Sequence, residues 1–189
     1  TAQHYRVRVS LDSSYYWKVV VSDGVANVSS SVYNFTTPDQ LSPLWSAYPT
    51  SQDPTSVAMS RDGNIMVMSS DNQEINVYDR NSSSAQWTYD ANKDILSTAV
   101  SGDGKYIAIG LGWQQSGVDF GKIILFETSS NTPLWSYTSG GHIYKLDMSY
   151  NGSYIVSGGK EGKVRLHHKD SSTPLATKSA SDINDVVIS

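Results

Sequence analysis

The densest set of side chains able to recognise another molecule lies between Leu111 and Gly121. Gly112-Trp113-Gln114-Gln115-Ser116-Gly117-Val118-Asp119-Phe120 places two aromatics, two amides and a carboxylate between glycines. Trp113 and Phe120 can stack on a sugar or anchor a protein partner. Trp113, Gln114, Gln115, Asp119 and Phe120 therefore form a candidate interaction loop. The same spacing also fits an elongated hairpin whose aromatics pack on their own sheet.

Other candidates are weaker. His167 and His168 are adjacent, and neighbours in a regular strand point to opposite faces, so both cannot ligate one metal. His142 occupies the place held elsewhere by Asp53, Asp94 and Asp182, where a side chain can hydrogen-bond the turn leading into a strand. Asn27, Asn34, Asn81 and Asn151 begin N-glycosylation sequons, while Pro133 disqualifies Asn131. Asn27 and Asn81 are expected in turns, and Asn34 on the face opposite Tyr33 and Phe35. The absence of cysteine excludes disulfides, thiolate metal sites, haem attachment and thiol nucleophiles. The acids are dispersed through turns, and no catalytic or nucleotide-binding motif is present. No catalytic residue, metal site or cofactor is expected.

Composition narrows the class further. The 189 residues are 38% hydrophobic and 11% aromatic, too apolar for a disordered polymer. Only 17% are charged, so polarity comes mainly from hydroxyls and amides. A net charge of -4 without a basic cluster argues against nucleic acid as a partner. No apolar run is long enough for a transmembrane segment, and the first residues do not read as a signal peptide. Either the chain is cytosolic, or any leader or anchor lies outside the residues given.

The elements that must hold these side chains are announced by a repeat. Ser60-Arg61-Asp62-Gly63, Ser101-Gly102-Asp103-Gly104 and Ser149-Tyr150-Asn151-Gly152 recur, with Ser189 where a fourth copy would start. Intervals of 41, 48 and 40 residues match the period of a four-stranded propeller blade. Asp-Gly and Asn-Gly between apolar runs mark tight hairpins. First strands are expected at Thr55 to Met59, Leu96 to Val100, Tyr144 to Met148 and Asn184 to Ile188. Second strands follow at Ile65 to Met68, Tyr106 to Ile109 and Tyr154 to Val156. Third strands follow at Ile75 to Asp79, Ile123 to Glu127 and Val164 to His168. Fourth strands carry Gln86-Trp87, Leu134-Trp135 and Leu175-Ala176, and Leu44 to Ala47 reads as one more.

Upstream, alternation predicts strands over Tyr5 to Leu11, Tyr15 to Ser22 and Ser31 to Thr36. Leu11-Asp12-Ser13-Ser14-Tyr15-Tyr16-Trp17-Lys18-Val19, followed by Asp23-Gly24 and Tyr33-Asn34-Phe35-Thr36-Thr37, resembles the last three strands of a fibronectin type III domain. That resemblance implies a corner role for Tyr15 and a core role for Trp17. The later repeats resemble WD40-like and pyrroloquinoline-quinone-type propeller repeats, as in archaeal and bacterial surface proteins. Tyr78-Asp79, Phe126-Glu127 and His167-His168 stand where such repeats carry Trp-Asp.

The expected fold class is all-β: a partial fibronectin-type-III-like sandwich over residues 1–38, a linker over 39–43 and propeller blades over 44–189. Three full blades are expected with a partial unit at each end, too few for a closed ring, as in a piece of a larger polypeptide or one completed by other chains. The leading expectation is a non-enzymatic extracellular or cell-surface protein with structural, adhesive or protein-interaction roles. Its partners would be proteins or glycans, including copies of itself in a surface assembly or filament. The alternatives are a quinone-dependent or hydrolytic propeller enzyme with its site in missing blades, and an intracellular WD40-type scaffold.

Overall fold

A computed structural model describes residues 13–17, 20–22, 27–29, 31–36, 43–47, 53–180, 183 and 185–188. All regular structure among them is β, and no helix is long and apolar enough to cross a membrane. The chain forms two compact units, Thr1–Leu44 and Trp45–Ser189.

In the first unit, β1 (Ser14–Trp17) pairs antiparallel with β4 (Tyr33–Thr36), and β2 (Val20–Ser22) with β3 (Asn27–Ser29). The Ser14 and Thr36 hydroxyls lie 2.9 Å apart across the first pair. Asn27 opens a strand in register with Ser22, where a turn was expected. The expected strand at Tyr5 to Leu11 and the expected linker residues 39–42 lie outside the described residues.

The second unit contains three four-stranded antiparallel sheets, each a meander in sequence order. Blade one is β5 (Pro54–Met59), β6 (Ile65–Ser70), β7 (Glu74–Asp79) and β8 (Trp87–Asp90). Blade two is β9 (Asp94–Val100), β10 (Tyr106–Gln115), β11 (Val118–Glu127) and β12 (Pro133–Ser139). Blade three is β13 (Ile143–Met148), β14 (Tyr154–Gly159), β15 (Lys163–His168) and β16 (Ala176–Ser179).

The repeated turns close the first hairpin of every blade in one way. The Ser60, Ser101 and Ser149 hydroxyls each donate to the acid or amide two residues on, and accept the backbone N–H of Ile65, Tyr106 and Tyr154 at 3.0 Å. The glycines at 63, 104 and 152 take φ of 71°, 72° and 68°, a left-handed conformation that costs glycine little. Successive turns also join one another. Arg61 N–H donates to Gly102 C=O at 3.1 Å, and Asp103 N–H to Tyr150 C=O at 2.8 Å. The Arg61 guanidinium lies 5.7 Å from the centre of the Tyr150 ring. A β-carbon at Gly102 would overlap that ring, so glycine is required where the other two turns carry long side chains.

Blades join through tryptophan. Trp87 of β8 rests 5.7 Å from Phe126 of β11 and donates its indole N–H to Thr128 C=O at 2.7 Å. Trp135 of β12 rests 5.6 Å from His167 of β15 and donates to Lys169 C=O at 2.6 Å. Trp45 repeats both contacts with Tyr78 and Arg80 C=O, at 5.6 Å and 2.5 Å. Between the first two blades Trp87 packs on a core that includes Val67, Val77, Ile107, Ile109, Ile124 and Phe126.

Two expected strands are corrected. Residues 43–47 and 185–188 are not strands; a lone extended segment with no ladder partner leaves its backbone bonds unmade. Both nevertheless pack: Trp45 as described, and the later segment through Ile188 N–H to Asp147 Oδ2 at 2.8 Å.

Trp87→Phe keeps the ring but strands the Thr128 carbonyl, and should lower unfolding free energy by about 1–3 kcal/mol in urea titrations. Trp87→Ala should cost about 3–5 kcal/mol. Equal, small losses in the two variants would show that the tryptophan does not join the blades.

Candidate functional site

The stretch from Leu111 to Gly121 is an elongated hairpin, the second of the two readings that its spacing allows. Strands β10 and β11 pair without interruption from Tyr106↔Glu127 to Gln115↔Val118. They turn on Ser116 and Gly117, whose φ values are 52° and 78°. Two successive residues at positive φ match the right-handed twist of a hairpin. Strand β10 runs ten residues, against six for β6 and β14, so this blade extends four residues past its neighbours.

Glycine lets the extension lie close to blade three. Gly112 and Gly121 are cross-strand partners. A β-carbon at Gly112 would come within 2.5 Å of Leu96 and 2.7 Å of His142, and one at Gly121 would overlap the Gly141 carbonyl. Alternation then puts Gln114 and Asp119, also partners, on the same side. Gln114 Nε2 donates to Asp119 Oδ1 at 2.7 Å, and Lys160 Nζ lies 2.7 Å from Asp119 Oδ2. His142 Nε2 lies 3.4 Å from Asp119 Oδ1. The lysine's hydrogen bond, then that from Gln114, hold the Asp119 carboxyl below its ordinary pKa, and the carboxylate in turn raises Lys160.

The other side is aromatic. Trp113 and Phe120 are cross-strand partners, stacked at 5.6 Å with an 18° interplanar angle. Lys93 Nζ stands 5.9 Å from the Trp113 ring centre, and the indole packs on the core between blades one and two. Gln115 and Val118 are exposed at the tip, Val118 by 55%. The structure thus brings all five candidate residues into one element. Composition within the insertion could not reveal Lys93, His142 and Lys160, which come from outside it. The signal available was the symmetric placement of Gly112 and Gly121 about Ser116-Gly117, which marks a hairpin with one bare face.

The adjacent histidines part, as alternation requires. His167 is fully buried, while His168 is half-buried against Tyr154 and lies 3.4 Å from Asp170. No group of three metal-ligating side chains occurs among the described residues. Asn34, Asn81 and Asn151 are exposed. The Asn81 amide donates to Asp79 at 3.0 Å, and the Asn151 side-chain oxygen accepts from the Ser149 hydroxyl and from Ser153 N–H.

Three features can now be compared with known proteins: four-stranded meander blades, the serine turns and the tryptophan contacts between sheets. Residues 131–168 match the model of the WD domain, G-beta repeat. The matched segment starts between β11 and β12, runs through β15 and so spans the contact of Trp135 with His167. The crystal structure of the RRP9 WD40 repeats is similar at 16% identity and a TM-score of 0.60. The similarity covers 74% of this chain and 44% of that one, so this chain spans less than half of the WD40 structure it matches. The likeness is one of β-propeller fold. No curated protein matches the sequence.

Asp119→Asn removes the charge that seats the hairpin on blade three. Amide hydrogen exchange across residues 112–121 should quicken, while the global unfolding midpoint stays nearly unchanged, because exposed ion pairs add little to stability. Unchanged exchange in the hairpin would show that Asp119 does not anchor it.

Proposed function

We propose that this chain is a non-enzymatic protein-interaction module and that the β10–β11 hairpin is its recognition element. The observation that carries this reading is the hairpin itself. It extends four residues beyond the neighbouring blades, is held on both faces, and presents Gln115 and Val118 at an exposed turn. A rigid scaffold displaying a short variable element is how recognition loops are commonly built. The WD40 likeness of residues 131–168 supports a scaffold role, since such repeats commonly bind proteins. Phe120 and Lys93 already take up much of the Trp113 ring. That favours a protein surface over a sugar stacked flat on the indole.

Seven carboxylates have structural uses. Asp62, Asp79, Asp90 and Asp103 accept backbone N–H groups within turns, and Asp119, Glu161 and Asp170 pair with cations. This pattern supports the non-enzymatic reading. The finer reading is an extracellular or cell-surface protein, with residues 1–38 of fibronectin type III character, glycans on Asn27, Asn34, Asn81 or Asn151, and copies of itself among its partners. Its support is the resemblance of residues 11–37 to that domain, the sequons and the hydroxyl-rich, cysteine-free composition.

A photo-crosslinking residue at Val118 in the source cell should trap a protein partner, and one at Ser172 should not. Trp113→Ala combined with Phe120→Ala should abolish the adduct in folded protein. Equal trapping at both positions would remove the hairpin as the recognition element. Protease treatment of intact cells tests the location: a chain protected from digestion until lysis would end the surface reading.

A further inference from the structure

The two junctions between blades are built from different chemistry. Cross-strand pairs of β10 and β11 put Ile107 with Phe126 and Ile109 with Ile124, facing blade one. The same positions of β14 and β15 hold Ile155 with His167 and Ser157 with Arg165, facing blade two. Three apolar residues are thus exchanged for a serine, an arginine and a histidine. All three polar residues are nevertheless buried: Ser157 and His167 completely, Arg165 to within 4%.

Their hydrogen-bonding capacity is only partly used. The Ser157 hydroxyl and both ring nitrogens of His167 have no hydrogen-bond partner among the described residues. His167 is held instead by aromatic faces from β12, with Trp135 at 5.6 Å and Tyr137 at 5.0 Å. Among charged and titratable groups, Tyr137 faces it from β12 and Arg165 from its own strand. Arg165 lies 5.5 Å from the Tyr137 ring centre and is paired with Glu161, which also binds Lys163. Lys169 contributes its carbonyl to Trp135, while its amine is engaged by Asp170. From β14, Ile155 lies opposite His167, and Tyr154 contacts His168 instead. A proton arriving on His167 would therefore meet a neighbouring guanidinium and, among the described residues, no free carboxylate.

We propose that the junction of blades two and three is an acid-labile seam, which loosens when His167 is protonated. Burial first, and the charge of Arg165 second, hold its pKa down to about 4, against 6.5 for a histidine in water. An open seam exposes the ring to solvent and lets it titrate near the ordinary value. Between the two values the open form binds more protons than the closed form. The closed seam is thus favoured at neutral pH and loses that advantage as pH falls from about 6.5 to about 4, with opening rising up to about tenfold per pH unit. Asp119, Lys160 and His142 bridge the same two blades near the turn of the long hairpin, so loosening the seam also loosens the hairpin's hold on blade three.

The test is amide hydrogen exchange on the intact chain, at neutral pH and inside the titration window, corrected for intrinsic exchange. In the wild type, peptides from β12, β14 and β15 should lose protection on acidification while those from β6 and β7 hold theirs. His167→Phe, which copies the residue at the equivalent position of blade two, should abolish that difference. His142→Gln should leave it in place. Uniform acid loosening of both junctions would overturn the proposal. So would an acid response that survives His167→Phe, or one that disappears in His142→Gln.

Discussion

The contact on which the second unit depends is an indole laid across the seam between two sheets. A four-stranded blade cannot bury both of its faces by itself, so its stability comes from neighbours. Trp45, Trp87 and Trp135 each supply a large apolar area and one hydrogen bond to a carbonyl on the next sheet. The second contact matters as much as the first. That carbonyl lies just beyond the third strand, where the ladder has ended, and the indole provides the donor that a strand no longer can. Each ring therefore satisfies a carbonyl that the facing sheet leaves open.

With that contact fixed, the differences between blades become interpretable. Tyr78, Phe126 and His167 occupy one position under three indoles, but only the last brings ring nitrogens into the seam. Ala176 stands in β16 where β8 and β12 carry tryptophan. Blade two alone lengthens its central hairpin, and it does so with glycines on the side that must pass close to Gly141 and His142. The hairpin is lengthened by extending strands already in the core.

The parts legible in the sequence were those with local causes. Serine turns, glycine at positive φ and alternating apolar residues announce themselves within a few positions, and the strands of all three blades lie where these signals put them. Pairing across blades was not legible. Trp87 and Trp135 were visible as a repeated feature of the fourth strand, but nothing nearby names Thr128 or Lys169 as their acceptors. The same limit applies to the hairpin. Its five candidate residues could be read, while the lysine and histidine that seat Asp119 come from the next repeat. The expected strands at Leu44 to Ala47 and Asn184 to Ile188 failed for a related reason, because apolar alternation describes a capacity that only a partner strand realises.

The serine turns carry one implication beyond closing hairpins. Arg61 belongs to the first blade and Tyr150 to the third, yet they meet over Gly102 of the second. Repeat arrays usually behave as chains of nearest-neighbour couplings, able to fray from either end one unit at a time. A bond that skips a unit changes the statistics: losing the third blade removes a contact from the first, even with the second intact. The side chain deleted at Gly102 is what makes room for that longer-range contact.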